Sequence, residues 1–395
     1  MKNSVIPREI IDIVETLEKA GFKAFLVGGC TRDILFGKIP KDWDITTNAI
    51  PEQIIPLFTK TFYENSYGTV GVVNENTENE SLKIVEVTPY RLESLYSDHR
   101  HPDQVQFSKS IDDDLKRRDF TINAIAMSLS KWAIKDIVDL FDGVKDIKEK
   151  VIRAVGKADD RFEEDALRMI RAVRLATELR FTINIDTEKA IISHFKLLKE
   201  ISKERIRDEF TKILMSKNPK EGIELLDKLN ILEYIIPELV KAKNVKQNQA
   251  HTYDVWEHLL RTVQHSADKD WPLEIRLSAL LHDISKPETK RLSRETNQIT
   301  FYGHEVIGSR VTKKILERLK FPTKTIEKVT KLVRWHMFFS DTETITISAV
   351  RRMIVNVGQE NIWDLMNIRI CESIGTGKQK ENHYRLRIYK SMIEE

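Results

Sequence analysis

The chain has 395 residues, of which 41% are hydrophobic and 32% are charged, a composition typical of globular proteins with about two to four domains. Its formal charge of +3 permits an anionic partner without requiring one. Cys30 and Cys371 are the only cysteines, which disfavours a disulfide framework, and no stretch is apolar over the length of a membrane span. We therefore predict a cytoplasmic protein without membrane contact.

The first third of the chain predicts a sheet domain. Residues up to Gly21 predict an amphipathic helix, because their apolar positions recur at helical spacing. Short β-rich runs then alternate with turns, namely AFLVGG, DWDITT, GTVGVV and LKIVEVTPYR, and the following FTINAIAMSL is interpreted as helical. The pattern predicts a small mixed or antiparallel sheet, ended by a glycine-containing turn at residues 139 to 147.

Helical periodicity dominates from Val151 to the C-terminus. FEEDALRMIRAVRLATEL and SKERIRDEFTKILM predict amphipathic helices, and a polar stretch at residues 241 to 251 precedes a histidine-bearing helical part. We therefore expect an α+β fold in three parts: a sheet domain over residues 1–145, an all-α segment over 146–245, and an all-α domain with a tail over 246–395.

Two aspartates in DWDIT are the first candidates for chemistry. Asp42 and Asp44 alternate along a predicted strand, so their carboxylates project from one face and repel each other unless a divalent cation lies between them. Upstream, a strand runs into Gly28 and Gly29, followed by Arg32. Such glycines let backbone amides approach phosphate oxygens, and an arginine can bind those oxygens through two hydrogen bonds. The combination predicts nucleotidyl transfer.

Polymerase-type transfer uses two metal ions, so we predict two Mg²⁺ ions and a third carboxylate on a neighbouring strand. Glu86 is the best candidate, because its strand places Ile84, Glu86 and Thr88 on one face and Val85 and Val87 on the other. A surface-facing glutamate without a catalytic role is the alternative.

The segment DDDLKRRDFTINA adds basic candidates. Arg117 and Arg118 offer guanidinium groups to phosphate, and Asp119 offers an acceptor to a ribose hydroxyl. The alternative is a basic helix flank in which Asp119 or Thr121 is a cap.

A further pair predicts how bases are chosen. Asp165 and Arg168 are three residues apart, hence neighbours on one face of a predicted helix that also carries Glu164. Cytosine and adenine both present an amino donor beside an acceptor ring nitrogen, which a carboxylate and a guanidinium match. Uracil and guanine present the reverse pattern. The pair predicts selection of C and A without a template, whereas an intrahelical salt bridge is the structural alternative.

The last third of the chain contains a set of residues that are typical metal ligands. An adjacent His-Asp pair after an apolar helical run, with further histidines on other predicted helices, indicates a divalent metal cluster. The candidate ligands are His258, His282, Asp283, His304, His336 and Glu372.

The motifs LVGGCTRDILFG, DWDIT, EVTPYRLESLYSDHRHPDQVQF, LKRRDFTINA, DLFDG and RFEEDALRMIRAVRLA, in this order, resemble the class II (bacterial-type) tRNA nucleotidyltransferases, the CCA-adding enzymes and their close relatives. The resemblance implies a nucleotidyltransferase head, a helical neck and body, and a tRNA substrate bound through its 3′ end and acceptor/T arm, with CTP and ATP. Asp42, Asp44 and Glu86 would hold the catalytic metals. The implied nucleotide-binding residues are Gly28, Gly29, Arg32, Arg118, Asp119, Asn123, Glu164, Asp165, Arg168, Arg171 and Arg174.

The histidine-bearing part resembles the HD domain of metal-dependent phosphohydrolases, which some CCA-adding enzymes carry. Two residues depart from the usual pattern: Ser285 replaces a glycine, and Glu372 replaces an aspartate. Thr31 in the head also replaces an apolar residue. Phosphohydrolase activity and a structural or RNA-supporting role both stay open.

Other functions remain as alternatives. An enzyme that adds only CC or only A shares these motifs, and the distinguishing loop is expected between Tyr90 and Asp114. A poly(A) polymerase shares the head. A different class would be an HD phosphohydrolase with a nucleotide-sensing head, or a non-catalytic tRNA-binding module. The basic and aromatic segment TGKQKENHYRLRIYKSM is assigned no role, and the sequence predicts no oligomeric state.

Overall fold

The computed structural model describes residues 6–64, 68–93, 105–130, 133–247, 252–295, 297–340, 346–377, 390–391 and 393–394. It contains two compact units, Met1–Ala172 with Leu179–Glu200, and Val173–Glu178 with Ile201–Glu395. The division into three parts stays a prediction. Residues 94–104 of the loop expected between Tyr90 and Asp114, the end of the polar stretch at 241–251 and most of the segment TGKQKENHYRLRIYKSM lie outside the described residues.

The first unit is built around a mixed seven-stranded sheet. The strands up to Glu200 are β1 (Ala24–Val27), β2 (Asp44–Thr47), β3 (Thr61–Glu64), β4 (Thr69–Val73), β5 (Ile84–Pro89), β6 (Arg91–Glu93), β7 (Val105–Phe107), β8 (Ile125–Ser130), β9 (Ala133–Asp139), β10 (Val151–Ile152) and β11 (Thr182–Ile183). The sheet order is β3-β4-β5-β2-β1-β8-β9, and β2 and β5 are its parallel neighbours while the other pairs are antiparallel. The predicted sheet head is confirmed.

Helices cover and extend this sheet. Those that begin before Glu200 are α1 (Arg8–Lys19), α2 (Gly29–Leu35), α3 (Pro51–Ile54), α4 (Ile111–Lys116), α5 (Gly143–Glu149), α6 (Ala158–Glu164), α7 (Leu167–Leu179) and α8 (Ile185–His194). The helix predicted before Gly21 is α1, which buries Ile10, Val14 and Leu17 in the core that also contains Ile45 of β2. This core holds β2 and its neighbours in place beneath the candidate site.

Three local expectations were wrong. FTINAIAMSL forms a short 3₁₀ helix, Thr121–Asn123, and then strand β8, because its apolar run is buried on both faces of the sheet and carries no alternation to distinguish strand from helix. Asp42 precedes β2 instead of lying in it. FEEDALRMIRAVRLATEL is two helices, with Asp165 at the break in an extended conformation (φ −146°, ψ 101°).

The second unit is helical. Its elements are α9 (Lys203–Met215), α10 (Pro219–Lys228), α11 (Leu232–Ile235), α12 (Pro237–Val240), α13 (Val255–Asp268), α14 (Leu273–Leu281), α15 (Lys286–Thr289), the hairpin β12 (Arg291–Leu292) and β13 (Ile299–Thr300), α16 (His304–Arg318), α17 (Thr323–Trp335), α18 (Ile347–Val357) and α19 (Ile362–Gly375). Buried Arg276 donates to the carbonyls of Leu214 and Ser216 at the end of α9, which satisfies carbonyls that a helix end leaves unpaired. Among the described residues, no helix has the length and apolar character needed to cross a bilayer.

Candidate active site and metal cluster

The parallel pair of strands brings two of the predicted carboxylates together. Asp44 of β2 and Glu86 of β5 are direct partners in the ladder. Along β5, Ile84 and Glu86 are exposed while Val85 and Val87 are buried, as the alternation predicts. Glu86 is exposed, and it lines the same cleft as Asp44. Exposure of this side chain therefore does not distinguish a surface role from a role at the site.

The electrostatics of the aspartates fit a cation. Asp44 is half-buried, and burial raises its pKa; neighbouring Asp42 raises it further, while Arg118 opposes the shift. Asp42 thus disfavours the charge of Asp44, and Glu86 is the ladder partner of Asp44, so these oxygens form a group that a hard divalent cation would stabilise. The residues present therefore fit the metal binding implied by the sequence.

Gly28 lets the backbone approach these groups closely. Its φ of +78° lies in the left-handed region. A Cβ at this position would lie 3.1 Å from Asp44 Oδ2 and 3.2 Å from Arg118 Nη1. Gly29 follows as the first residue of α2. The positive φ favours glycine at this position, and a side chain here would push against the Asp44 carboxylate and the Arg118 guanidinium.

The departure at Thr31 is explained by its buried hydrogen bonds. Its Oγ1 lies 2.9 Å from the Gly28 carbonyl and 3.2 Å from the Ile125 carbonyl, so a polar atom is satisfied where an apolar residue is usual. Arg32, on the same helix, binds Asp33 Oδ1 and donates at 2.9 Å to Asn123 Oδ1. Its predicted contact with a triphosphate stays a prediction.

A buried aspartate that the sequence analysis did not select holds the two adjacent arginines. Asp114 is fully buried, and its Oδ1 accepts from Arg117 at 2.9 and 2.6 Å while its Oδ2 accepts from Arg118 at 2.9 Å. Burial alone would raise the pKa of Asp114, but the two guanidinium groups lower it. The signal in the sequence was the i, i+3 and i, i+4 spacing of one acid and two bases.

Asp119 lies at the end of the same segment and is paired. Its Oδ2 accepts from Arg171 at 2.8 Å, and its Oδ1 accepts from the backbone N–H of Phe120 at 2.9 Å. Burial would raise its pKa, but Arg171 and Arg168 lower the pKa of Asp119 to about 2. Asn123 Nδ2 lies 3.5 Å from Asp119 Oδ1, which links the residue to Arg32 through one amide group.

The pair predicted to select bases, Asp165 and Arg168, lies at one cleft but not along one helix. The Asp165 carboxylate accepts from the backbone N–H of Leu167 at 3.1 Å, as a cap at the start of α7. Arg168 is ion-paired with Glu164, and its Nη2 donates at 3.0 Å to the Arg117 carbonyl. Asp165 and Arg168 nevertheless both line the cleft, since the break between α6 and α7 turns Asp165 toward it.

These side chains surround one cleft of about 470 Å³ within the first unit. Arg91, Thr69 and Thr88 line it and were not selected from the sequence, because isolated threonines and one arginine carry no recognisable spacing. The complete lining is Val27, Asp44, Ile45, Thr69, Glu86, Thr88, Arg91, Arg117, Arg118, Asp119, Asp165, Arg168 and Arg171. Arg174 belongs to the second unit instead, where it pairs with Glu209 at 2.6 Å and Glu178 at 2.9 Å.

The second unit gathers the predicted histidines around Asp283. His258 Nε2 lies 3.2 Å and His282 Nε2 3.3 Å from Asp283 Oδ2, and His304 Nε2 lies 3.2 Å from Oδ1. His336 Nε2 lies 3.2 Å from His304 Nε2. Asp283 is therefore shared by two groups of candidate metal ligands, one with His258 and His282 and the other with His304 and His336. All of these side chains are buried.

The orientation of the rings fits a metal cluster. The Nδ1 atoms of His282, His304 and His336 face carbonyls three residues back, at 3.0, 2.7 and 2.7 Å. Donation there leaves each Nε2 as an acceptor pointing at the cluster. The Nε2 atoms of His304 and His336 face each other at 3.2 Å, an arrangement that a cation bound between them would stabilise.

Charges around the cluster keep its carboxylates ionised. Burial would raise the pKa of Asp283, but Lys286, whose Nζ lies 2.6 Å from Oδ2, and His282 hold it well below its usual value. Likewise, Arg369 and His336 lower the pKa of buried Glu372 to about 2. Burial lowers the pKa of His336 to about 3. Ser285 fits its position because its Oγ donates at 2.7 Å to the His304 carbonyl.

Comparisons with known proteins identify three families along the chain. Residues 24–153 match the "Poly A polymerase head domain", residues 180–243 the "Probable RNA and SrmB- binding site of polymerase A", and residues 250–361 the "HD domain". The last two fall in the predominantly helical part of the chain, after the sheet.

Curated relatives and solved structures agree. A CCA-adding enzyme of Leuconostoc mesenteroides is 35% identical over 353 residues, 84% of each chain. One of Ligilactobacillus salivarius is 46% identical over 222 residues, which span 56% of this chain but 52% of that relative. The CCA-adding enzyme of Bacillus stearothermophilus in complex with CTP superposes with a TM-score of 0.71 at 27% identity, covering 98% of this chain and 82% of that one. At 19% identity and a TM-score of 0.62, the enzyme of Thermotoga maritima shares the fold. The chain is therefore a nucleotidyltransferase that belongs to the family of CCA-adding enzymes.

Proposed function

We propose that this chain adds C and A residues to the 3′ end of tRNA, using CTP and ATP and releasing pyrophosphate, without a nucleic-acid template. The observation that carries the proposal is a single cleft in which Asp44 and Glu86 face Arg118, Asp165 and Arg168. Carboxylates for metals, a cation for phosphate and a carboxylate–guanidinium pair for a base are the parts that template-free transfer requires.

The head residues divide into two roles. Asp42, Asp44 and Glu86 would hold two Mg²⁺ ions, which supply activation of the attacking hydroxyl and neutralisation of the triphosphate charge. The backbone at Gly28 and the guanidinium of Arg118 orient the triphosphate for in-line attack, since Arg118 is fixed by Asp114 before substrate arrives. Gly29 and Arg32 contribute to the same phosphate site, and Asp119 with Asn123 to the ribose site.

Base choice follows from the fixed hydrogen-bonding pattern of the cleft. Asp165 accepts from the amino group of C or A, and Arg168 donates to the adjacent ring nitrogen. Glu164 and the Arg117 carbonyl hold Arg168, so the donor cannot turn away to suit uracil or guanine. Arg171 neutralises Asp119 beside them.

The base-selection proposal predicts the effect of Asp165→Ala. The ratio of CTP and ATP incorporation to UTP and GTP incorporation should fall at least about tenfold, because one of the two matched hydrogen bonds is lost. Asp160→Ala, an exposed residue of α6, is the matched control and should leave the ratio unchanged. Unaltered nucleotide choice in a folded Asp165→Ala protein would remove the template role from this pair.

One assay separates the proposed function from its alternatives. The protein is incubated with tRNAs that end before C, after CC and after CCA, with labelled CTP or ATP. Completion of CCA on the first two and no extension of the third supports the proposal. Addition of only CC or only A indicates a partial enzyme, and long A tracts indicate a poly(A) polymerase; absence of incorporation contradicts it. The cytoplasmic location stays a prediction.

A second candidate function is favoured by the histidine cluster. The two ligand groups that share Asp283 fit two divalent cations, with Glu372 beside His336 as an additional carboxylate. Such a site would give metal-dependent hydrolysis of phosphate esters. Lys286 lies against Asp283 and would place a positive charge beside a bound phosphate.

Metal analysis and hydrolysis assays test this candidate. Protein prepared without chelator should contain divalent metal and hydrolyse cyclic or terminal nucleotide phosphates, and Asp283→Ala should lose both properties. Asp268→Ala, outside the cluster, serves as a control. A metal-free, inactive wild-type protein would leave the HD domain with a structural or RNA-supporting role.

A further inference from the structure

We propose that the hydroxyl groups of Thr69 and Thr88 recognise the 2′-hydroxyl of the last ribose of the acceptor strand, so that the enzyme extends an RNA end in preference to a DNA end. This inference rests on the proposed function, since it concerns the strand whose 3′-hydroxyl attacks.

The two hydroxyls form a hydrogen-bonded pair in the lining of the cleft. Thr69 Oγ1 and Thr88 Oγ1 lie 3.1 Å apart, and both residues line the cleft. Thr88 is two residues from Glu86 on the same face of β5. The neighbouring Thr46 donates its hydroxyl to the Thr88 carbonyl at 3.0 Å, which holds this part of β5 in place.

The order of the strands indicates which ribose lies there. Gly28 follows β1, Asp44 begins β2, Glu86 lies on β5 and Thr69 begins β4, and these strands are consecutive neighbours in the sheet. The proposed triphosphate contacts, Gly28 and Arg118, are grouped with Asp44 at the β1 side. In-line transfer requires the attacking oxygen on the side of the α-phosphate opposite to the pyrophosphate. The acceptor ribose therefore lies toward β5 and β4, beside the threonines.

The chemistry of the pair matches a 2′-hydroxyl. Within the pair, one O–H donates to the other oxygen, which leaves the second O–H and the remaining lone pairs for a ligand. A 2′-hydroxyl is both a donor and an acceptor, so it completes this chain of hydrogen bonds. A 2′-deoxyribose leaves the outward hydroxyl without a partner in a cleft from which substrate has displaced water, and such a loss is unfavourable.

The test measures acceptor discrimination. Two tRNA acceptors that end in CC differ only in the last sugar, ribose or 2′-deoxyribose, and single-turnover addition of A is compared. We expect wild type to prefer the ribose acceptor by about tenfold or more, and Thr69→Val and Thr88→Val to reduce this preference to about two- to threefold, because valine keeps the shape without the hydroxyl. The preference should fall through slower extension of the ribose acceptor.

Controls separate the inference from the function on which it rests. Thr61→Val places the same substitution on β3 of the same sheet, outside the cleft lining, and should keep the wild-type preference. Discrimination between ATP and 2′-dATP should also stay unchanged in the cleft variants. If that ratio changes while acceptor preference does not, the threonines read the incoming nucleotide and the inference is wrong. An unchanged acceptor preference in folded variants likewise overturns it. Failure of wild type to extend either acceptor contradicts the proposed function itself.

Discussion

The ion pair between Asp119 and Arg171 should make the stability of the protein depend on pH. Asp119→Asn should lower the free energy of unfolding by about 1–3 kcal/mol at pH 7, at the modest end for a buried pair because the Arg171 side chain is 37% exposed. The pKa of Asp119 is lowered to about 2 from an unfolded value of roughly 3.9. The stability from this pair is therefore present above about pH 4 and is lost as pH falls toward 2.

Urea denaturation at several pH values measures this difference. The gap between wild type and Asp119→Asn should be constant from pH 7 to about 5 and should narrow between pH 4 and 3. Asp136→Asn, at an exposed carboxylate, should show little effect throughout. A gap that does not depend on pH would mean that ionisation of Asp119 contributes nothing to stability.

Gly28 allows a sharper substitution, because Gly37 provides a matched comparison. Both glycines have positive φ, +78° and +76°, but a Cβ at Gly28 meets Asp44 and Arg118 whereas one at Gly37 meets open space. Gly28→Ala and Gly37→Ala should therefore lose similar stability, about 1 kcal/mol. Only Gly28→Ala should reduce the rate of nucleotide addition, by about a hundredfold. Equal activities in steady-state assays would show that the close approach at Gly28 is not needed for transfer.

Among the secondary-structure elements, the alternation of β5 was predictable because one face is exposed and the other buried. The identity of β8 was not, since Ile125, Ala126 and Met127 are all fully buried and a continuous apolar run fits a strand or a helix equally. The break before α7 was not predictable from periodicity either, because it depends on a single capping hydrogen bond from the Leu167 N–H to the Asp165 carboxylate. Candidate residues were thus easier to select than the backbone that presents them.

The start of α5 shows how one element depends on close packing. Asp139 accepts from the backbone N–H groups of Gly143 and Val144, which accounts for the DLFDG motif as a helix start. A Cβ on Gly143 would lie 2.2 Å from the Thr121 carbonyl oxygen, in the 3₁₀ helix that carries Asn123.

Gly143→Ala should consequently destabilise the protein by more than about 2 kcal/mol, because two backbone segments must separate and no flexible side chain can yield. Gly156→Ala, with no atom within 4 Å of its Cβ, should cost less despite its positive φ. Thermal denaturation of the two variants measures this difference, and equal melting temperatures would contradict the packing argument.

At the scale of the whole molecule, the carboxylates of the cleft lie in the first compact unit and the histidine cluster lies in the second. A substitution in one of these sites should therefore leave the activity or metal content of the other unchanged. Asp42→Asn combined with Asp44→Asn should abolish nucleotide addition, by at least about a thousandfold, and leave the metal content of the second unit unchanged. His282→Ala should lower that metal content and leave CCA addition near the wild-type rate. Metal analysis and extension assays on the same preparations check both halves. Continued extension by the double asparagine variant at the normal rate would contradict the carboxylate mechanism.

The sequence indicated the fold of the sheet head and most residues of the cleft because glycines, paired aspartates and arginines occur there in order. It could not indicate Asp114, Thr69 or Thr88, because their roles depend on which strands become neighbours. The sequence spacing puts Arg174 one helical turn after Arg171, but it does not indicate that Arg174 belongs to the second unit and pairs with Glu209. Its predicted nucleotide contact stays a prediction.

The pairing of Asp44 with Glu86 has a consequence for natural variation among related chains. Hydrogen bonds between β2 and β5 fix the separation of the two residues, whereas the connection between them contributes nothing to it. Insertions at the exposed turn around Glu75 and Asn76 should therefore be harmless, while deletion of a single residue inside either strand would turn one acid to the opposite side of the sheet. Length differences in this family should collect in that turn and be absent from the strands.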